Sequence, residues 1–226
     1  MADLMQEIAK NVIDGKSDKD SPLVPERMGE PGVKELTQQA IDEGRDIPEI
    51  LNKGLLAGMD VIGAKFRDGE LFIPEVLISA QALRAGRDLL RPLIVKGGLK
   101  PIGKCVIGTV KGDIHYLGKD LVAMMLEGAG FEVINLGVDV STEKFIEVVK
   151  QEKPQILGMS ALVTSTMFGM RAVIEALEKN GLRDKVKTMV GGAPVTQSFA
   201  DEIGADGYTV DAISAVVEAK ELLGRS

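Results

Sequence analysis

Up to about residue 97 the apolar side chains recur at helical spacing; beyond it, short apolar runs alternate with amphipathic stretches. The change falls at Lys96-Gly97-Gly98-Leu99-Lys100-Pro101-Ile102-Gly103, whose glycines and proline suit a linker. Two domains are therefore expected, a helical one over 1–96 and a mixed one over 97–226.

The helical part predicts four helices. In the first, from Leu4 to Asp14, Leu4, Ile8 and Val12 or Ile13 share a face; in the second, over 32–43, Val33, Leu36 and Ala40 do. Between them, Ser17 to Pro31 holds three prolines and many charges and reads as a loop. Pro48 stands near the start of a third helix carrying Ile50, Leu51, Leu55, Met59, Ile62 and Phe66. Asp68-Gly69-Glu70 ends it, and Pro74 opens a fourth that runs to about Val95 through Val76, Leu77, Ala80, Leu83 and Leu90. Short connections predict an antiparallel four-helix bundle, whose apolar stripes are core by default.

The second part predicts strands at 104–110, 132–136, 155–160, 187–191 and 207–209. Helices are expected at 119–130, 142–153, 167–180, 196–203 and 211–223, with Ser141 as an N-cap and Gly181 just past a helix end. Five such units predict an α/β fold: a doubly wound, five-stranded parallel sheet of the flavodoxin-like (Rossmann-type) class. Ligands of these folds bind beyond the carboxyl ends of the strands, where the strand order reverses.

Composition narrows the chemistry. A net charge of −7 and no basic cluster argue against a nucleic-acid partner. No apolar stretch approaches the ~20 residues that span a bilayer, and the acidic start does not read as a signal peptide. The single cysteine, Cys105, excludes an internal disulfide and suits a reducing cytoplasm; its apolar run makes it a buried strand residue.

The single histidine, His115, lies in Asp113-Ile114-His115-Tyr116-Leu117-Gly118, just after the first strand. A carboxylate two residues away can fix the imidazole tautomer and raise its basicity as a metal ligand. One histidine without cysteine partners cannot build a zinc site. A metal would have to arrive with most of its coordination satisfied, as inside a macrocycle. Other small or polar residues fall at the same sheet edge: Ser160, Leu162, Thr164 and Thr166 after the third strand, Gly191 and Gly192 after the fourth, Tyr208 and Asp211 at the fifth. Glycines there let a bulky ligand approach the backbone, and hydroxyls supply hydrogen bonds.

In order and spacing, Asp113-x-His115-x-x-Gly118, Ser160-x-Leu162 and Gly191-Gly192 match a cobalamin-binding signature. The segment from Phe66 to Glu75, FRDGELFIPE, is similar to the helical cap that precedes that signature in methyltransferases. The chain resembles, over nearly its whole length, stand-alone corrinoid proteins of methyltransferase systems and the cobalamin module of methionine synthase. The resemblance implies that His115 is the lower axial ligand of cobalt (base-off/His-on), backed by Asp113, with Thr166 completing a proton relay. It implies a nucleotide tail beside Ser160, Leu162, Gly191 and Gly192, with Tyr208 and Asp211 near its far end and Thr164 and Gly118 in contact. Phe72 and Leu77 are candidates to cover the upper face, with Met59 a weaker one, and Gly97-Gly98 a candidate hinge.

The implied function is a methyl carrier, not catalytic alone. Cob(I)alamin takes a methyl group from a substrate-specific methyltransferase and, as methylcobalamin, passes it to a second methyltransferase whose acceptor is tetrahydrofolate or a thiol. A reductive activase is the third implied partner. Methylamine, methanol and methoxylated aromatics are all open as donors. The alternative is the small subunit of an adenosylcobalamin-dependent mutase, which usually lacks a helical cap. One departure from the family pattern is the 17–31 segment, longer and more polar than the usual link.

Overall fold

The computed structural model describes residues 3–97 and 101–225, with side chains of 94–97 left out. The chain divides into two compact units, 1–100 and 101–226. The expected hinge falls partly on Gly98, outside the described residues. No helix among them is long and apolar enough to cross a membrane.

In the first unit, α1 (Leu4–Ile13) is capped by the Asp3 side chain, and α2 (Val33–Asp42) by Glu35 reaching back to Gly32 N at 2.9 Å. The expected third helix is continuous but irregular: α3 (Ile47–Glu49) leads through a π-helical stretch (Ile50–Leu56) into α4 (Ala57–Arg67). The last, α5 (Ile73–Gly97), continues two residues past the expected end. Ile8, Val12, Ile50, Leu55, Ile62, Val76, Leu83 and Leu90 are buried among these helices.

The 17–31 segment is more tightly fastened than its composition predicts. Lys16 is fully buried and its Nζ donates to Arg27 O at 2.7 Å. Arg27, at the end of a 3₁₀ turn (Pro25–Arg27), bonds Asp14 at 2.8 Å, Asn11 at 3.1 Å and Glu30 at 2.8 Å. The loop therefore covers the buried Lys16 with a backbone acceptor, while Arg27 ties the loop to α1 and to Glu30.

The second unit is the expected doubly wound sheet: β1 (Lys104–Thr109), β2 (Glu132–Asn135), β3 (Ile156–Ser160), β4 (Lys187–Gly191) and β5 (Gly207–Thr209), all parallel in the order β2-β1-β3-β4-β5. One face buries Phe145, Met170, Leu177 and Phe199 under α7 (Thr142–Glu152), α8 (Thr164–Lys179) and α9 (Gln197–Ile203). The other buries Cys105, Leu126, Phe131 and Ala215 under α6 (Leu117–Gly128) and α10 (Ala212–Leu222). Burial pushes the Cys105 thiol up to about 12, as expected of an inert strand cysteine. Register aligns the strand ends: Thr109 pairs with Ser160, Ser160 with Gly191, and Gly191 with Thr209. Strand order reverses between β1 and β3, so the β1–α6 and β3–α8 loops flank the crevice where such folds bind ligands.

Two helix starts differ from expectation. α6 begins at Leu117 and α8 at Thr164, two and three residues early. Neither has a side-chain cap from its own N-cap residue, so neither start carries the usual sequence signal.

Candidate cofactor-binding site

Asp113 is the hub of the carboxyl edge. Its side chain is 1% exposed as a residue and accepts hydrogen bonds on both oxygens. Oδ1 accepts from His115 N at 3.0 Å and stands 2.8 Å from His115 Nδ1. Oδ2 accepts from Leu162 N at 2.7 Å, Val163 N at 3.2 Å and the Thr166 hydroxyl at 2.7 Å. Asp113 thus holds the two residues that lead into α8, and the Thr166 hydroxyl in its first turn, from about fifty residues away. Burial alone pushes the Asp113 carboxyl up, but the donors from Leu162, His115 N, Thr166 and the His115 ring outweigh it. The group is held well below the usual carboxylate range.

That carboxylate decides the state of the ring. An acceptor facing Nδ1 places the proton there, so in the neutral imidazole Nε2 carries the lone pair. The His115 side chain is 51% exposed, and its carbonyl accepts from the buried Thr109 hydroxyl at 2.8 Å. The result is a half-exposed imidazole of fixed tautomer on a braced loop. Thr166 has a single hydroxyl proton to share between Asp113 Oδ2 and Val163 O, 2.8 Å away.

Of the other expected residues, Ser160 is half-buried at the end of β3, and Leu162 and Thr164 are exposed just beyond it. Gly191 ends β4. Gly192 has φ +122°, and a Cβ there would lie 1.8 Å from Ala161 O, so this turn requires glycine for its own packing. Gly118, near the start of α6, is different: a Cβ there meets nothing within 4 Å. Tyr208 packs against the core under α7–α9, and the Asp211 carboxylate caps α10 by accepting from Ile213 N at 3.0 Å and Ser214 N at 2.7 Å. Phe72 and Leu77 belong to the helical unit, where Phe72 is 70% exposed and Leu77 half-buried; Met59 there is buried core.

Three contributors carry no motif. Thr109 reads as a strand residue, and the amide of Val163 has no side-chain signature. Asp139, in the β2–α7 loop, accepts from Gly112 N at 2.8 Å, while its own N–H donates to Asp113 O at 2.9 Å. The available signal was Leu136-Gly137-Val138-Asp139, a glycine and an aspartate following a strand at the same edge.

The residues fit a metal that arrives with most of its coordination already satisfied. Among the described residues no group of three or more His, Cys, Asp or Glu could hold a bare ion, whereas the His115 imidazole would supply one ligand to such a metal. At the same sheet edge Ile114, Tyr116, Leu117, Leu162, Val163 and Val210 are exposed, apolar side chains suited to a large, mostly hydrocarbon ligand.

Comparison with known proteins agrees with this geometry. Residues 103–217 match the B12 binding domain family, and residues 26–91 match a second B12 binding domain family. The chain is 44% identical over 222 residues to a dimethylamine corrinoid protein of Methanosarcina barkeri, covering 98% of each chain. It is 47% identical over 191 residues to trimethylamine corrinoid protein 2 of Methanosarcina mazei, covering 84% of this chain and 88% of that one. Among solved structures it is similar to the methanol:cobalamin methyltransferase complex MtaBC of Methanosarcina barkeri, with a TM-score of 0.83 and 30% identity over 99% of this chain and 80% of that one. An imidazole braced by a buried carboxylate within the unit that matches the B12 binding domain, a second B12 binding match in the helical unit, and relatives that span both identify the chain as a member of the B12-binding family of corrinoid proteins.

Proposed function

We propose that this protein carries a methyl group on cobalamin from a methylamine-specific methyltransferase to a second methyltransferase whose acceptor is a thiol or tetrahydrofolate. The observation that carries the reading is the 2.8 Å contact between His115 Nδ1 and a buried Asp113, which leaves Nε2 available to a ligand. When bound, the corrinoid supplies a cobalt centre that accepts a methyl group and gives it up again. The chain supplies everything around that chemistry.

His115 would hold the cobalt from below, in the base-off/His-on mode. Asp113 would orient the ring through its contact with Nδ1. The Thr166 hydroxyl, bonded to Asp113 Oδ2, would complete a proton relay with Asp113 and His115. Ser160, Leu162, Gly191, Gly192 and Thr164 would line the nucleotide tail, with Tyr208 and Asp211 contributing at its end and Gly118 leaving room near the ring. Phe72 and Leu77 would cover the upper face. A methylamine donor is favoured over methanol and methoxylated aromatics by the names of the relatives sharing 44% and 47% identity. A reductive activase would restore the carrier after adventitious oxidation, and the cycle would run in the cytoplasm. The mutase small-subunit alternative is not favoured, because the helical half has its own B12 binding match and the relatives span both halves.

The test is an absorption spectrum of protein reconstituted with hydroxocobalamin, beside His115→Ala, before and after reduction and methylation. Stoichiometric uptake with a histidine-dependent spectrum that converts to the methylated form is expected. Failure to retain cobalamin removes the reading, and retention with a spectrum indifferent to His115→Ala removes the axial role.

A further inference from the structure

Asp139 stands apart from every residue so far given a role. It is one of two described non-glycine residues with positive φ, at +52°, a left-handed conformation that aspartate and asparagine tolerate better than other side chains. In that conformation it bonds the histidine loop twice. Its Oδ1 accepts from Gly112 N at 2.8 Å, and its N–H donates to Asp113 O at 2.9 Å. Gly112 itself has φ +81°, so the loop turns where the Asp139 carboxylate meets it. Just beyond, Val140 N donates to Thr109 O at 2.9 Å and Val110 bridges Val140. Lys111 Nζ stands 3.7 Å from Oδ1 in solvent, too exposed a pair to account for the arrangement.

The histidine loop is thus held from two sides. From the β3–α8 side, Leu162, Val163 and Thr166 grip the Asp113 side chain; from the β2–α7 side, Asp139 grips the backbone of Gly112 and Asp113. The first set fixes where the carboxylate lies. The second fixes where the main chain carrying it lies, and therefore the approach of the imidazole.

We propose that Asp139 is a positioning residue for axial ligation: it sets the backbone of the His115 loop without touching the cofactor. The inference rests on the His-on reading above. It requires two properties at position 139, tolerance of positive φ and an acceptor for Gly112 N, and substitutions separate them. Asp139→Asn keeps both, Asp139→Gly keeps the conformation and loses the acceptor, and Asp139→Ala loses both.

The experiment measures hydroxocobalamin affinity and the histidine-ligated fraction from the absorption spectrum of each variant, together with hydrogen exchange at the Gly112 amide in the cofactor-free protein. Loss of a residue that orients a ligand typically lowers affinity 10–100-fold, so Asp139→Ala is expected to lose about tenfold or more. Asp139→Gly should fall between alanine and wild type, and Asp139→Asn should return to within about threefold of wild type, since only the charge has changed. Gly112 exchange should quicken about tenfold in the glycine and alanine variants and not in the asparagine one. Wild-type ligation in Asp139→Gly overturns the role of the acceptor, and an asparagine variant as weak as alanine overturns the geometric account in favour of charge. If wild type shows no histidine-dependent spectrum, the axial role of His115 falls, and unchanged Gly112 exchange in the glycine variant would then overturn the brace as well.

Discussion

Among the described residues two ionisable groups are buried in polar loops, Lys16 in the helical unit and Asp113 at the edge of the sheet, and they serve different ends. Lys16 Nζ ends on a backbone carbonyl, Arg27 O, within a segment that closes on itself through Asp14, Asn11 and Glu30. Asp113 collects donors from the start of α8 and presents its remaining oxygen to an imidazole that is half-exposed. Both satisfy the requirement that a buried charge be hydrogen-bonded. Only the second passes its orientation outward to a group that can meet a ligand. Burial of a charge therefore marks a site when its partners lead to the surface, and marks a fastening when they do not.

The sharpest way to break that contrast is Asp113→Asn. The amide nitrogen would face either the Leu162, Val163 and Thr166 donors or the His115 pair, stranding a buried donor at a cost of about 1–3 kcal/mol. Cobalamin affinity or the reduction rate should fall about 10–100-fold, the usual penalty for disturbing a ligand's orienting partner. An unchanged midpoint potential with an unchanged methyl-transfer rate would remove Asp113 from the mechanism. The same variant tests pH dependence. A carboxyl whose folded pKa lies below its unfolded value, about 3.9, stabilises the fold above that value and loses the contribution as pH falls towards the folded pKa. The stability gap between wild type and Asp113→Asn in urea should thus be full at neutral pH and shrink below about pH 4. A gap that widens with acid would contradict the hydrogen-bonding account of Asp113.

Lys16→Met is the matching test in the helical unit. It keeps most of the volume and removes the ammonium, leaving Arg27 O without that donor, so unfolding should shift by about 1 kcal/mol. Cobalamin affinity measured by absorbance should not change. A loss comparable to that of Asp113→Asn would mean that the 17–31 segment contributes to the site, and the distinction between fastening and site would collapse.

Why one region was legible in the sequence and the other was not follows from the range of the interactions. All five strands lie within a residue or so of their expected places, since solid apolar runs between turn signals need only local information. Asp113 and His115 stood out because they are two residues apart. The early start of α8 was invisible, because its N-cap is Val163, which offers no side-chain acceptor, and the carboxylate that holds the residues leading into it lies on another loop. Asp139 was invisible for the same reason, its partners being 26 and 27 residues earlier in the chain. The π-helical stretch Ile50–Leu56 also escaped, since the apolar positions around it satisfy the ordinary helical template closely enough.

The smallest expected effect on stability is also the most selective for the cofactor. Gly192 and Gly118 both belong to the motif that carries the family resemblance, but the fold needs only the first. At Gly192 an added Cβ meets Ala161 O at 1.8 Å with positive φ, so Gly192→Ala would damage the turn and report on packing alone. At Gly118, the second residue of α6, the added methyl meets nothing within 4 Å, and alanine loses less conformational freedom on folding than glycine. Gly118→Ala should therefore leave the cofactor-free protein as stable as wild type or slightly more so in thermal unfolding. If the space above Gly118 belongs to the corrinoid, hydroxocobalamin affinity should drop about tenfold or more, because a methyl placed against a rigid ring has nowhere to move. Undiminished affinity would show that the glycine of the Asp-x-His-x-x-Gly motif serves the protein chain here, and Gly118 would leave the set of cofactor contacts.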